Sequence, residues 1–106
     1  MIGKGRVVLI GCGALGTANA EILTRAGVGF LRLVDRDVVE LSNLQRQNLF
    51  TEDDARRSAP KAVAAQHYLK RVNSEVEIEG LIRDATPDNI EELCADAHLV
   101  VDASDN

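Results

Sequence analysis

Three glycines, Gly11, Gly13 and Gly16, stand in the spacing G-x-G-x-x-G directly after the apolar run Val7, Val8, Leu9 and Ile10. In that spacing the first glycine permits a tight turn, and the second lets a backbone approach a phosphate. The third lets the next helix pack close to the strand. Ala14 to Arg25 has helical character, so its free N–H groups and positive dipole end point back at the loop. Asp35 closes the following strand at a spacing that suits a carboxylate accepting hydrogen bonds from ribose hydroxyls. Together these residues can hold the phosphates and sugar of a nucleotide. The plainer alternative is a glycine turn that serves packing alone.

A second stretch has the make-up of a functional segment. Asp35 to Phe50 reads DRDVVELSNLQRQNLF, with Ser42, Asn43, Gln45, Arg46, Gln47 and Asn48 close together. It lacks sustained alternation and is too long for a simple strand-to-helix connection; loops of that kind inside compact domains usually carry function.

The elements that must position these groups follow from apolar spacing. Strand one covers Arg6 to Ile10 and includes four β-favouring residues in a row, Val7 to Ile10, as in a strand buried on both faces of a parallel sheet. In the first helix Leu15, Ala18, Ile22, Leu23 and Ala26 form an apolar stripe expected to face the core, and Gly27 is a natural stop. Strand two is Phe30 to Val34, with Asp35 at the edge where open α/β sheets bind ligands. Thr51 to Ser58 alternates acid with base and reads as a solvated surface turn. Pro60 suits the first position of a second helix capped by Ser58 or Ala59, with Ala62, Val63, Ala65, Leu69 and Val72 inward. Val76, Ile78 and Gly80 alternate with glutamates, the mark of an edge strand. Thr86-Pro87-Asp88 starts a short helix with Ile90, Leu93 and Cys94 on its apolar face. His98 to Val101 is strand four.

Right-handed crossovers then predict an α/β fold, a Rossmann-like parallel sheet in strand order 3-2-1-4 flanked by helices. No helix follows strand four, so one face and one edge of the sheet are expected to lie open. Residues 1–106 therefore read as the N-terminal portion of a larger domain, truncated after strand four.

Composition removes other classes. The chain has 106 residues and a net charge of −5, and no basic cluster exceeds Arg56–Arg57, so no nucleic-acid partner is expected. No apolar run reaches membrane-spanning length, so no membrane association is expected. Met1 leads almost directly into strand one, without the pattern of a signal peptide. Cys12 and Cys94 form no C-x-x-C, and free thiols in a cytoplasmic protein are the default. Cys12 reads as packing, Cys94 as a core residue, and His67 and His98 as surface or core histidines without metal-ligand spacing. Asp37 either helps at a metal or nucleotide or caps the loop through its own backbone; Asp102 is either a supporting group or a turn-former.

The glycine loop, the D-x-D followed by S-N-L-Q-R-Q, and the terminal D-x-x-D-N together resemble the ThiF/MoeB/HesA adenylyltransferases, relatives of the ubiquitin-activating enzymes. The resemblance covers nearly the whole chain, and N-L-x-R-Q after an Asp-terminated second strand is foreign to dehydrogenases. It implies ATP-dependent adenylation of the C-terminal glycine of a small ubiquitin-like sulfur-carrier protein, with release of pyrophosphate. It also implies a homodimer, ATP and Mg²⁺ as cofactors, and, in many members, Zn²⁺ in a C-terminal part. Matched motif to motif, Gly11, Gly13 and Gly16 shape the nucleotide loop and Asp35 holds the ribose. Asn43, Arg46 and Lys61 contact the ATP phosphates, Arg46 and Lys61 as the catalytic cations, and Asp105 holds the Mg²⁺.

The chemistry of these residues agrees. Attack of a carboxylate on the α-phosphate brings anion to anion, so catalysis rests on cations and N–H groups already in place. Arg46 offers a bidentate fork and Lys61 a compact charge at a helix start. Ser58-Ala59 stand where the family often has a glycine before the P-K pair. By itself the stretch is expected to bind nucleotide without turning over. The competing readings are a non-catalytic nucleotide-binding or scaffold module, and an NAD-dependent dehydrogenase domain, which leaves S-N-L-Q-R-Q unexplained.

Overall fold

Val7, Val8, Leu9 and Ile10 are all buried, which places their strand in the middle of the sheet. The computed structural model describes residues 5–45, 47 and 49–103. In it β1 (Arg6–Ile10) pairs in parallel with β2 (Phe30–Asp35) on one side and with β4 (Leu99–Asp102) on the other. β3 (Glu77–Ile82) adds to β2, again in parallel, so the order is β3-β2-β1-β4, as expected. The register aligns Leu9 with Leu33 and Val101, and Leu33 with Gly80. β3, partly buried, and β4, largely exposed, form the two edges.

Side-chain alternation divides the core by sheet face. Val7, Leu9, Leu31, Leu33 and Ile78 point to one face, against Ala20 of α1 (Ala14–Ala26) and Ala64, Ala65 and Leu69 of α3 (Lys61–Val72). Val8, Ile10 and Val34 point to the other, against Leu93 of α4 (Ile90–Cys94).

Helix α1 is turned differently from expectation. Its buried residues are Gly16, Thr17, Ala20 and Thr24, while Leu15 and Ile22 are 63% and 65% exposed and Ala18 and Ala26 are exposed too. Leu23 alone of the expected stripe packs on the core, partly buried. The reason is close approach: a Cβ on Gly16 would overlap the Gly11 carbonyl oxygen, so the glycine side of the helix must face the loop and sheet. Thr17 tolerates burial because its hydroxyl donates to the carbonyls of Gly13 (2.9 Å) and Ala14 (3.2 Å).

The expected surface turn at Thr51 to Ser58 is a helix, α2 (Glu52–Arg56). Thr51 and Asp54 form a reciprocal cap: the Asp54 N–H donates to Thr51 Oγ1 and the Thr51 N–H to Asp54 Oδ2. The acid–base alternation supports this helix through Arg56–Asp53 and Arg57–Asp53 pairs one turn apart. Ser58, at φ 50°, ends it in the left-handed conformation.

Two helix starts also shift. Pro60 stands just before α3, without side-chain capping, because Lys61 is the first residue to take helical form. Thr86 to Asn89 is a separate turn, and α4 begins only at Ile90. The segment between β2 and α2 is not loose: Val39, Leu49 and Phe50 are buried in the core, and Leu41–Gln45 forms a 3₁₀ turn.

Candidate functional site

At the carboxyl ends of the four strands lies a cleft of about 660 Å³, within the range of small-molecule sites. Gly11 and Gly13, Asp35, Lys61 and Asp102 all line it. The sheet order explains this meeting, since β1, β2 and β4 are neighbours and each delivers its terminal residue to the same edge.

The glycine loop turns through Gly11 at φ 98°, a conformation that side chains rarely adopt, and its N–H donates to the Val34 carbonyl at 2.8 Å. Gly13 is the N-cap of α1 and offers no side-chain oxygen to the first turn. The leading N–H groups of the helix are therefore uncapped by it, as an anion site at a helix start requires.

Asp35 is fixed before any ligand arrives. Its Oδ2 accepts the Cys12 N–H and its Oδ1 the Asp37 N–H, each at 2.7 Å. Each oxygen keeps a further lone pair, so the carboxylate can still receive hydroxyl donors from a sugar. Asp37 contributes through its backbone on both sides, because its carbonyl also accepts the Lys61 N–H at 2.9 Å. Together with the Val39 N–H to Ala59 carbonyl bond, this pins the start of α3 beside the end of β2.

Lys61 is consequently 7% exposed and opens onto the cleft. Among the described residues no carboxylate pairs with its ammonium group within 4.0 Å. A buried cation so placed suits an anion that the cleft would receive.

Cys12, between the glycines, is 2% exposed. Burial pushes its thiol up to about 12, the nearby Asp35 charge adds to the rise, and Lys61 opposes it. The folded state thus holds this proton above the ordinary value of 9.0. The resulting stability is complete below pH 9 and is lost as pH rises towards 12. In a native chain at pH 8, iodoacetamide is expected to label the partly exposed Cys94 and spare Cys12, as read by peptide mass spectrometry. Rapid labelling of Cys12 would contradict the closed loop.

The other expected site residues fall in different places. Gly16 lies beneath the loop rather than on the cleft wall. Asn43 is buried off the cleft, its Oδ1 accepting the Glu40 N–H at 2.8 Å. Arg46 and Asp105 lie outside the described residues. Sequence reasoning missed the wall opposite the glycines, formed by Arg83, Asp84, Ala85 and Thr86 with Arg36. No motif marks that stretch; it reaches the cleft only because β3 pairs with β2. Among the described residues no group of three or more His, Cys, Asp or Glu side chains is placed to hold a metal ion. None of the described helices is long and apolar enough to cross a membrane.

Comparison with known proteins adds to this geometry. A family model described as the ThiF family matches residues 1–106. The sulfur carrier protein ThiS adenylyltransferase of Bacillus subtilis (strain 168) is 56% identical over 103 residues, which is 97% of this chain and 31% of that protein. The molybdopterin-synthase adenylyltransferase of Escherichia coli (strain K12) is 42% identical over 104 residues, 95% of this chain and 40% of that protein. The crystal structure of E. coli tRNA N6-threonylcarbamoyladenosine dehydratase in complex with ATP superposes with a TM-score of 0.92 at 27% identity, over 99% of this chain and 43% of that one. The chain thus spans between three and four tenths of the length of the two curated relatives.

Proposed function

This chain belongs to the ThiF family, and on that premise we propose that residues 1–106 form the N-terminal, ATP-binding portion of an adenylation domain. The substrate proposed is the C-terminal glycine of a small ubiquitin-like sulfur-carrier protein, in keeping with relatives named for such carriers. A carboxylate oxygen of that glycine attacks the α-phosphorus of ATP, and the bond from that phosphorus to the bridging oxygen of pyrophosphate breaks. An acyl-adenylate and pyrophosphate result. The complete enzyme is proposed to be a homodimer in the cytoplasm, where Cys12 and Cys94 stay free.

The observation that carries this reading is the position of Lys61, nearly buried and open to the same cleft as the glycine loop. A triphosphate under attack by a carboxylate brings more negative charge into the cleft than a dinucleotide's pyrophosphate, and a buried cation there suits it. Asp35 takes the ribose, and the loop N–H groups and Lys61 take the phosphates. Arg46 would approach from the segment after β2, whose 3₁₀ turn Asn43 braces by accepting the Glu40 N–H. Mg²⁺ bound by Asp105 together with the phosphates would screen their charge.

Ligand-induced stabilisation tests the reading on this chain. Mg-ATP at a hundred times its dissociation constant is expected to add about 2.7 kcal/mol to unfolding, and NAD nothing. Stabilisation by NAD alone would return the chain to the dehydrogenases.

A further inference from the structure

A second cavity, of about 410 Å³, lies between α2 and α3 and shares no lining residue with the nucleotide cleft. Its α3 wall comes from Ala64, His67, Tyr68 and Arg71, which stand three or four apart and so share one face of the helix. Lys70 joins them from the last turn. Leu49 and Ala64, both buried, and the partly buried Tyr68 give the groove an apolar floor.

The two walls differ in how their charges are answered. On the α2 side, Arg57 Nε stands 2.9 Å from Asp53 Oδ2, and Asp54 is held in the reciprocal cap with Thr51. On the α3 side, Lys70 and Arg71 have no ion pair, and the Tyr68 hydroxyl has no hydrogen bond, among the described residues. In a chain of net charge −5, this is a local excess of unanswered cations beside apolar surface.

That combination selects the kind of ligand. Lys70 and Arg71 are exposed, so a small free anion at either one gains little over water. A chain bearing several carboxylates meets both cations at once, and an apolar side chain among them can bury itself against the floor. We propose that the α2–α3 groove docks an acidic segment of a partner protein. Its carboxylates lie on Lys70 and Arg71, and an apolar side chain between them rests on Leu49, Ala64 and Tyr68. The groove stands apart from the nucleotide cleft, so this docking does not depend on what the cleft binds.

The test is fluorescence anisotropy with a labelled peptide, a leucine–phenylalanine pair flanked on both sides by glutamates. A second peptide has glutamine for every glutamate. The acidic peptide is expected to bind saturably, about tenfold tighter than its glutamine counterpart, and to weaken as salt is added. Lys70→Glu and Arg71→Glu should each weaken it about tenfold. Arg25→Glu makes the same change of charge on α1, outside the groove, and should cost no more than about twofold. All three positions are exposed, so the core is undisturbed. Absence of saturable binding overturns the proposal, as does equal affinity for the glutamine peptide or an equal loss from Arg25→Glu. Displacement of the peptide by equimolar inorganic phosphate would make the groove a small-anion site, and displacement by Mg-ATP would place the peptide in the nucleotide cleft. Self-association that Arg71→Glu abolishes would assign the groove to a second copy of this chain. Each of these three results also overturns the proposal.

Discussion

Gly16→Ala is expected to destabilise the chain by about 3 kcal/mol, the upper end of ordinary overpacking. The sign is what makes this informative. In an unencumbered helix, alanine is favoured over glycine by about 1 kcal/mol, so a glycine kept for no structural reason would gain stability on replacement. Here the added Cβ would overlap the backbone carbonyl of Gly11, and backbone cannot rotate aside as a flexible side chain can. Relief requires α1 to lift from the loop, which uncovers Thr17, Ala20 and Thr24 and moves Gly11 and Gly13 at the cleft. The denaturant midpoint should fall with little change in slope. Mg-ATP affinity should fall with it. A raised midpoint would mean that the helix does not pack this closely.

Lys61→Met should separate function from stability. Methionine keeps an unbranched stem in the buried site, and the backbone N–H bond from residue 61 to Asp37 survives. The substitution removes a charge that has no carboxylate partner within 4.0 Å among the described residues. The denaturant midpoint is therefore expected to hold or rise, since burying an uncompensated charge costs free energy. Mg-ATP affinity is expected to fall about a hundredfold, the loss of a charge-assisted contact to phosphate. Such opposite movement is the mark of a binding group retained at a cost to the fold. Affinity within threefold of the unaltered chain would remove Lys61 from the site.

How much of this was legible beforehand varies with the range of the interaction. The glycine loop was legible because strand, turn and helix are contiguous, and each glycine answers a local steric demand. Asp35 was legible because it ends a strand whose pattern is plain. The inward face of α1 was not, because it depends on one contact between Gly16 and Gly11 that outranks hydrophobicity. Counting apolar residues favours Leu15 and Ile22, yet small residues are what allow a helix to sit so close. Helix α2 was passed over for a related reason: its acid–base pairs were read as solvation, when their spacing also supports a helix behind a Thr–Asp cap.

The sequence by itself determined the parallel sheet, its strand order and the glycine loop, since these follow from local periodicity and the handedness of crossovers. Only the tertiary structure decided which side of α1 faces the sheet, and that Lys61 is buried at the cleft. It also decided that the turn after β3 closes the wall beside Arg36. The first depends on the steric contact of Gly16 with Gly11, and the other two on contacts between residues far apart in the chain, such as Lys61 with Asp37 and Arg36 with Asp84. Strand pairing brings such residues together, and no local pattern encodes their meeting.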